Sequence, residues 1–209
     1  MINEFSMYEK SLNDLKKAIK LEKVSIVSDV WSDLKDYKKI ENYLINLGFK
    51  IDYKKPVFYK KVSASEKSKL IFKINKKLIE KLFLEFIKKT NTPDFLDWKN
   101  NPKKGLAEMI SPIEDWNLCA YNEKNELIGF FTLENNGNGY GAFLLIFIKN
   151  EYRGKNYAIE MIKKAEELLQ KAGITEWYES TYESNIPMIK AFTKYGFVHK
   201  RDMTFFIKN

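Results

Sequence analysis

The chain has 209 residues, of which 44% are hydrophobic and 31% are charged, a composition typical of a folded globular protein. It contains one cysteine, Cys119, and one histidine, His199, so an internal disulfide is excluded and a zinc site of the usual ligand types is disfavoured. The polar start of the sequence does not resemble a signal peptide, and no apolar run approaches membrane-spanning length. We therefore predict a cytoplasmic protein without a membrane partner and without a bound metal.

The formal net charge of +8 raises the question of a polyanionic partner. Arg153 and Arg201 are the only arginines, and arginine is the preferred residue for planar contacts with phosphates and bases. The lysines are interspersed with acidic residues along predicted helices. We interpret the charge as a solvated, lysine-rich surface, and a nucleic-acid-associated protein is the disfavoured alternative.

The pattern of apolar and turn-forming residues in the first 62 residues predicts alternating helices and short strands. In chain order, we predict a helix over Tyr8–Lys20, a strand over Val24–Val30 and a helix over Tyr37–Leu47 that is stopped by Gly48. FKIDY and VFYKKV then indicate two short strands joined in a hairpin around Pro56. The polar segment KVSASEKSK, residues 61–69, is predicted to be a linker.

From Leu70 onward, the pattern predicts a second and longer group of elements. In chain order these are a strand over residues 70–74, a helix over Lys76–Lys89, a loop or broken helix over residues 91–105, a hairpin of NLCAY and ELIGFFTLE with its turn at Asn122–Asn125, the strand GAFLLIFI, a helix that stops at Gly173, a strand over Ile174–Thr181, a helix over Ile186–Tyr195 and a strand over Met203–Ile207. The continuous apolar run GAFLLIFI predicts a central strand that is buried on both faces.

The turn YRGKNYA, residues 152–158, joins that apolar strand to a long amphipathic helix. A helix N-terminus leaves N–H groups unpaired and carries partial positive charge, so a turn that feeds it suits a phosphate. Gly154 allows close approach to the backbone, and Arg153 and Lys155 add formal charge. Asn156 stands where such turns usually carry glycine, and asparagine tolerates left-handed backbone geometry well. We predict an anion-binding turn, with a turn that holds no ligand as the alternative.

Two motifs in this part of the chain resemble the GNAT superfamily of N-acetyltransferases. IKNEYRGKNYA resembles the acetyl-CoA signature Gln/Arg-x-x-Gly-x-Gly/Ala, with Arg153, Asn156 and Ala158 at its defined positions. NIPMIKAFTKYGF resembles the later motif, in which an asparagine opens a helix that ends in Gly-Phe. The resemblance covers residues 63–209. It implies an α/β (α+β) fold whose mixed, mostly antiparallel sheet has a splayed central strand pair and is flanked by helices.

The resemblance also implies acetyl-CoA as the donor and an amine of a small molecule or peptide as the acceptor, which attacks the thioester directly. It implies that the donor is bound by Phe147, Ile148, Arg153, Gly154, Lys155, Asn156, Tyr157, Ala158 and Asn185. The first helix and its loop build the acceptor pocket in this family, and here they carry four large apolar residues that either line a pocket or cover the sheet: Phe95, Leu96, Trp98 and Trp116. A non-catalytic acyl-CoA-binding sensor or scaffold is the alternative function.

Proton transfer is the point at which the sequence departs from the family. The family's usual general acid is a tyrosine in the later helix, and here that position carries Phe192, which cannot donate a proton. Tyr195 is the candidate acid, although we favour its interpretation as a core aromatic. Glu179 is the first candidate for the base that deprotonates the amine, and Glu134 is the second. A surface carboxylate on a strand is the competing interpretation of each.

The N-terminal segment resembles the second half of a similar domain. ENYLINLGFKIDYKKPVFYKKV is similar to IKAFTKYGFVHKRDMTFFIKN: Gly48-Phe49 matches Gly196-Phe197, and Phe58 matches Phe206. We predict a degenerate C-terminal half-domain over residues 1–62 and a complete acetyltransferase domain over residues 63–209. The half-domain has no glycine-bearing turn, and residues 1–4 are too few for the strand that precedes such a turn, so it should not bind a cofactor itself. An unrelated helical extension is the alternative.

Overall fold

The computed structural model of the protein describes residues 3–8, 10–21, 24–64, 66–137 and 139–208. Within these residues, strands and α-helices follow one another in the order β1 (Asn3–Ser6), α1 (Leu12–Leu21), β2 (Val24–Trp31), α2 (Tyr37–Asn46), β3 (Lys50–Lys61), β4 (Ile71–Ile74), α3 (Lys76–Lys89), α4 (Leu96–Asn100), α5 (Pro102–Met109), β5 (Asn117–Tyr121), β6 (Leu127–Gly137), β7 (Tyr140–Ile148), α6 (Tyr157–Lys171), β8 (Glu176–Ser180), α7 (Ile186–Tyr195) and β9 (Val198–Ile207). They form two compact units. The first unit contains the residues up to Tyr59, Ser180–Thr193 and those from Phe197 onward, and the second contains Lys60–Glu179 and Lys194–Gly196.

In the first unit, the last strand of the chain lies between two strands of the N-terminal segment. The strand order is β1-β2-β9-β3, with β1 parallel to β2 and with β9 antiparallel to both β2 and β3. Phe206 of β9 lies opposite Val27 of β2 and Ile51 of β3. Phe206 and Val27 share a fully buried core with Leu15 of α1 and Leu44 of α2. The N-terminal segment therefore builds its core together with the C-terminal end of the chain.

Helix α1 begins later than its apolar spacing predicts, at Leu12 instead of Tyr8. Ser11 and Asp14 explain this start because they form a reciprocal capping pair: the N–H of Ser11 donates to Asp14 Oδ2 at 2.9 Å, and the N–H of Asp14 donates to Ser11 Oγ at 3.3 Å. The predicted helix also included Glu9, which lies outside the described residues.

The predicted strand at Val24–Val30 and helix at Tyr37–Leu47 are confirmed as β2 and α2. Gly48 follows α2 with a φ of 85°, a left-handed conformation that glycine adopts readily at the end of a helix. The further prediction that residues 1–4 are too few for a strand is wrong. β1 is only four residues long, but it pairs with β2 along its whole length.

The predicted hairpin around Pro56 is also wrong, because β3 runs through the proline as one strand. Pro56 lies opposite Asp202 of β9. The carbonyl of Asp202 accepts a hydrogen bond from the N–H of Ser32, and the N–H of Asp202 donates to Ser32 Oγ, both at 2.8 Å. The ladder between β3 and β9 therefore needs no N–H from the proline at this position. On its other side, the carbonyl of Pro56 accepts a hydrogen bond from the N–H of Thr181 at 3.4 Å.

In the second unit, the strand order is β8-β7-β6-β5-β4. Neighbouring strands are antiparallel from β4 to β7, and β7 is parallel to β8. The predicted strand at residues 70–74, the helix at Lys76–Lys89 and the hairpin with its turn at Asn122–Asn125 are confirmed, and the predicted broken helix at residues 91–105 corresponds to α4 and the start of α5. The arrangement confirms the predicted fold class, a mixed and mostly antiparallel sheet flanked by helices.

Helices α3 and α6 pack on this sheet and fix the strands that form the site. Phe83 of α3 belongs to a core with Phe130 of β6 and Leu145 of β7. Helix α6 approaches β7 so closely at Gly141 that an added Cβ atom there would lie 2.5 Å from Leu169. The position of β7, which leads into the predicted anion-binding turn, is therefore fixed by packing against α3 and α6.

The segment predicted as a linker, residues 61–69, is held on α6 by two carboxylates. The N–H of Ser63 donates to Glu166 Oε1 at 2.9 Å, and the N–H of Lys69 donates to Glu160 Oε2 at 2.6 Å. Ser65 within this segment lies outside the described residues. The segment is a connection whose described ends are fixed by hydrogen bonds to the helix that follows the turn.

Candidate functional site

The parallel strands β7 and β8 are paired only at their beginnings. Among the described residues, their register is limited to Tyr140 opposite Glu176 and Gly141 opposite Trp177. From Phe143 onward, the edge of β7 therefore has no main-chain pairing with β8, as the predicted splayed pair requires. We call the opening between residues 143–148 of β7 and residues 178–179 of β8 the wedge. The prediction that β7 is buried on both faces is wrong, because most side chains of β7 are only half-buried.

A β-bulge in β7 sets which main-chain groups face the wedge. Phe143 lies opposite Leu133 of β6, and Leu145 lies opposite the adjacent Thr132, so Leu144 is an extra residue. Beyond the bulge, the N–H of Lys149 donates to β6, to the carbonyl of Ile128 at 2.9 Å.

Because successive residues of a strand direct their N–H groups to opposite edges, the N–H groups of Ile148 and Ile146 point toward the wedge. Ile148 was a predicted site residue, whereas Ile146 was missed. The main chain of Phe147 faces β6, and its ring packs 5.7 Å from Phe130 and 5.8 Å from Phe86, measured between ring centroids. The sequence carries no signal for this register, because a bulge depends on how the neighbouring strand pairs.

The predicted anion-binding turn contains two residues with left-handed backbone conformations. Gly154 has a φ of 77° and Asn156 a φ of 62°, so both are left-handed, and the expectation that asparagine would preserve the turn is confirmed. Asn156 is the N-cap of α6, but its side chain makes no capping hydrogen bond. It accepts instead from Lys194 Nζ at 3.4 Å. Arg153 Nε donates to the carbonyl of Ile148 at 3.1 Å, which places its side chain beside the end of β7.

Two cavities flank this turn. The first, of about 340 Å³, is bounded by the end of α3, the end of β7 and Arg153. Its two carboxylates, on Glu85 and Glu151, are paired with lysines at 2.9 and 2.6 Å. For Arg153, the described part of the chain provides no ion pair. The second cavity, of about 660 Å³, is bounded by the β5–β6 turn and the start of α6 and includes Lys155 and Lys194.

The side chain of Glu179 lies at the closed end of the wedge. Its Oε1 accepts hydrogen bonds from the N–H of Phe143, at 2.7 Å, and from the indole N–H of Trp177. The residue is 6% exposed, so its interpretation as a surface carboxylate is wrong. Burial raises the pKa of Glu179 to about 8; the two hydrogen bonds oppose this shift, and the charge of Glu134 adds to it. Burial also raises the pKa of Glu134, the second candidate base.

The hydroxyl of Tyr195, the candidate acid, is engaged by a buried glutamate. It donates to Oε2 of Glu166 at 2.7 Å. Glu166 is 1% exposed, and its Oε1 forms an ion pair with Lys60. Sequence reasoning missed Glu166, although a signal existed: it is a charged residue within the inward stripe of α6, beside Ala165 and Leu169.

The family's tyrosine position and the predicted pantetheine contact both belong to the first unit. Phe192 is 2% exposed, and its ring centroid lies 5.5 Å from that of Phe58 and 5.1 Å from that of Phe197. Asn185 lies at the start of α7, where its carbonyl accepts from the N–H of Ile189 and its side chain donates to Thr181 Oγ1 at 2.9 Å. A contact between Asn185 and a bound donor stays a prediction.

The aromatic residues that were candidates for lining an acceptor pocket mostly cover helix α3. Phe95 packs on Phe86 with 5.0 Å between ring centroids, and Trp98 packs on Phe83 at 5.7 Å. Trp116 is buried, whereas Leu96 is exposed. Among the described residues, no helix is long and apolar enough to span a membrane, and no cluster of three side chains suits a metal ion.

Comparison with known proteins identifies the class. Residues 78–197, more than half of the chain, match the model of the Acetyltransferase (GNAT) family. The chain therefore belongs to the GNAT family of acetyltransferases, and this membership supports an acyl-transfer function. No curated protein sequence matches the chain.

Solved structures share the fold. A GCN5-related N-acetyltransferase from Sphaerobacter thermophilus aligns with a TM-score of 0.60 and 13% identity over 93% of this chain, which spans 64% of that protein. A GNAT acetyltransferase from Colwellia psychrerythraea gives a TM-score of 0.63 and 14% identity over 94% of this chain and 72% of that one. A tandem GNAT protein from the clavulanic acid biosynthesis pathway aligns with a TM-score of 0.55 and 14% identity over 91% of this chain and 66% of that protein. At these identities the similarity shows the fold alone.

Proposed function

We propose that the protein transfers an acetyl group from acetyl-CoA to an amine of a small molecule or peptide by direct attack of the amine on the thioester. The observation that carries this proposal is the combination of two features on one strand. The pairing of β7 with β8 ends at Gly141, and the same β7 leads into a glycine-bearing turn before a helix without a side-chain cap. Such a strand offers main-chain donors to a carbonyl, and such a turn offers them to a phosphate.

The residues of the site fit this donor. An added Cβ atom at Gly154 would meet nothing within 4 Å, so a phosphate has room to approach the backbone of the turn. Under the proposal, the turn residues Arg153 to Ala158 hold the pyrophosphate, and the N–H groups of Ile146 and Ile148 face the thioester end. When bound, acetyl-CoA supplies an activated acetyl group. Asn185 is proposed to contact its pantetheine arm.

A non-catalytic acyl-CoA sensor is the second candidate, and one observation favours it. Phe192 occupies the family's usual tyrosine position, is buried, and packs against the rings of Phe58 and Phe197. A protein that only binds the donor has no need for a proton donor there. The two candidates share the same binding site and differ only in turnover.

Thermal unfolding and turnover together test the proposal. A ligand that binds only the folded state stabilises it by about 2.7 kcal/mol at a concentration of 100 times its Kd, so acetyl-CoA should raise the Tm. Release of free thiol with a panel of small amines and peptides should then identify an acceptor. The absence of a Tm shift at millimolar acetyl-CoA would contradict donor binding. A Tm shift without turnover on any acceptor would favour the sensor.

We also propose that residues 1–62 are a degenerate half-domain beside a complete acetyltransferase domain over residues 63–209. The order β1-α1-β2-α2-β3 repeats the order β7-α6-β8-α7-β9. The fold similarity to a tandem GNAT protein supports this proposal. The compact units divide the chain differently, because β9 completes the core of the N-terminal segment.

A further inference from the structure

The proposed reaction must move two protons, and neither aromatic residue of the later helix is suited to this. The departing sulfur gains a proton, and the attacking amine loses one. Phe192 has no exchangeable proton, and the hydroxyl of Tyr195 is directed at Glu166. The inference that follows rests on the proposed function and assigns these proton transfers to a residue of the wedge.

The two oxygens of the Glu179 carboxyl group have different surroundings. Both hydrogen bonds, from the N–H of Phe143 and the indole of Trp177, reach Oε1. An acidic proton on this group therefore resides on Oε2, because Oε1 already accepts from two donors. Within the described residues, no hydrogen bond reaches Oε2. Among the described residues, Oε2 is not one of the fully buried side-chain atoms that lack a partner, so it keeps a slight exposure although the residue as a whole is buried.

The position of this carboxyl group suits contact with a thioester. The pairing of β7 with β8 ends at Gly141, before Phe143, and the bulge at Leu144 follows Phe143 directly. Oε2 of Glu179 is thus an oxygen without a hydrogen bond from the described residues, and it lies at the closed end of the wedge. The N–H groups of Ile146 and Ile148 line the same edge of β7 further toward the turn.

The protonation behaviour of Glu179 also suits transfer to sulfur. Burial and the facing carboxylate of Glu134 favour its neutral form, and its pKa of about 8 leaves it mostly protonated at neutral pH. A thiol has an ordinary pKa of about 8.5. Proton transfer is most effective between groups of similar pKa near the working pH, so a neutral carboxyl group here is matched to a departing thiolate.

We propose that Glu179 is the proton shuttle of the acyl transfer, giving its Oε2 proton to the departing sulfur and taking a proton from the attacking amine. A bond forms between the uncharged amine nitrogen and the carbonyl carbon, and the bond from that carbon to sulfur breaks. The sulfur leaves with the electron pair and accepts the Glu179 proton. The nitrogen transfers its surplus proton to the Glu179 carboxylate. The products are an amide and a thiol, and Glu179 returns to its acid form.

The main test replaces the carboxyl group by a similar group that cannot shuttle a proton. Glu179→Gln keeps an Oε1 that can accept from Phe143 and Trp177, and Glu176→Gln on the same strand is the matched control. With acetyl-CoA, Glu179→Gln should lower kcat by about 10²–10⁴-fold, the usual contribution of general acid–base catalysis. The KM for acetyl-CoA should change little. An acetyl thioester of an aromatic thiol should recover most of the loss, because that leaving group needs no proton.

The pH dependence distinguishes a shuttle that starts as an acid from a simple base. If the neutral form of Glu179 is required, wild-type turnover falls as the pH rises through about 8. A simple base would give turnover that rises through the same range. Glu134→Gln removes the facing charge that raises the pKa of Glu179, so it should move the alkaline fall to lower pH.

A measurement without turnover tests the titration itself. Because the indole of Trp177 donates to Glu179, tryptophan fluorescence of the ligand-free protein should show an inflection near pH 8 in the wild type and in Glu176→Gln. Glu179→Gln should lack this inflection, and Glu179→Asp serves as the second variant if Glu179→Gln does not fold.

Three results overturn the proposal while leaving acyl transfer intact: full activity of Glu179→Gln, an equal loss with both donors, or a wild-type protein without the fluorescence inflection. A wild type that turns over neither donor overturns the proposed function together with the shuttle. The two failures are thus distinguished by the wild-type rate.

Discussion

The segment from β1 to β3 and the segment from β7 to β9 place the same elements in the same order, yet among the described residues only the second contains a parallel strand pair that parts. In the first segment, β1 and β2 are paired through Ser6 opposite Ser28, and the N–H of Met7 extends the pairing to the carbonyl of Ser28. In the second segment, β7 and β8 part after Gly141. A parallel pair that stays closed satisfies its own main-chain groups, whereas a pair that parts leaves donors for a ligand.

The helix that follows each first strand shows the same difference. The N-terminus of α1 is occupied by the side chains of Ser11 and Asp14. The N-terminus of α6 follows a left-handed Asn156 whose side chain does not cap it. Both helices carry a carboxylate in the first turn, but Asp14 accepts from the N–H of Ser11 at the start of its own helix, whereas Glu160 of α6 accepts from the N–H of Lys69 in another segment. The comparison shows that an order of elements does not make a site: the strands must part, and the helix N-terminus must stay open.

The largest effect should come from removing the closed segment. A protein that begins at Ser63 lacks both neighbours of β9, because β2 and β3 flank it. Phe206, which is fully buried, then loses the core formed with α1 and α2. We expect this truncated protein to aggregate or to lose most of its cooperative unfolding transition in circular dichroism.

A shorter deletion provides the control for that experiment. Removal of residues 1–6 takes away β1 but leaves β2, β3 and the pairing of β9. It should reduce the Tm and keep the protein soluble. If the protein starting at Ser63 is as stable as the full chain, the N-terminal segment is a loose extension and the comparison between the two segments fails.

The open turn should be sensitive to substitution at Gly154. Gly154→Val places a β-branched residue at a φ of 77°, and its side chain enters the space that the proposed function assigns to a phosphate. The acetyl-CoA-induced rise in Tm should disappear. Gly173→Val is a matched control, since Gly173 also has a left-handed φ, of 74°, with nothing near an added Cβ atom. It should lower stability to a similar degree and retain the ligand-induced shift; equal losses would argue against a binding role for the turn.

Tyr195→Phe separates a structural from a catalytic hydroxyl. The substitution removes a hydrogen bond to the buried Glu166, and bonds to charged groups contribute about 1.5–3 kcal/mol. We expect a loss of stability of this order in urea unfolding, with turnover nearly unchanged. Tyr178→Phe, whose hydroxyl donates to the less buried Glu176, is the control and should cost less. A normally stable Tyr195→Phe protein with a large loss of rate would assign the acid role to Tyr195 and contradict the shuttle.

The smallest effect concerns the two helix starts. Ser11→Ala removes a capping acceptor from α1 and should cost about 1 kcal/mol in urea unfolding. Asn156→Gly removes no capping bond from α6 and keeps the left-handed geometry, so its effect on stability should be within about 0.5 kcal/mol. It should bind acetyl-CoA at least as tightly as the wild type. A cost for Asn156→Gly that equals the cost for Ser11→Ala would show that both helices are capped alike.

The sequence by itself determined those elements whose signals are local. The bounds of α3 and α7 follow from apolar spacing and from stop signals such as Gly196, and the β5–β6 hairpin follows from its polar turn. The left-handed geometry at Asn156 could be predicted because it depends on one residue type. The two family motifs gave the fold class for the same reason, since each lies within a short stretch of chain.

Only the tertiary structure decided features that depend on distant partners. Pro56 signals a turn locally, but the bonds of Asp202 to Ser32 permit a continuous strand. The pairing of β9 between β2 and β3 joins residues far apart in the sequence. The burial of Glu179 and the engagement of Tyr195 by Glu166 likewise arise where separate elements meet. Composition and periodicity report how a side chain relates to its neighbours along the chain, whereas a pKa, a buried ion pair or an open strand edge depends on which groups folding brings into contact.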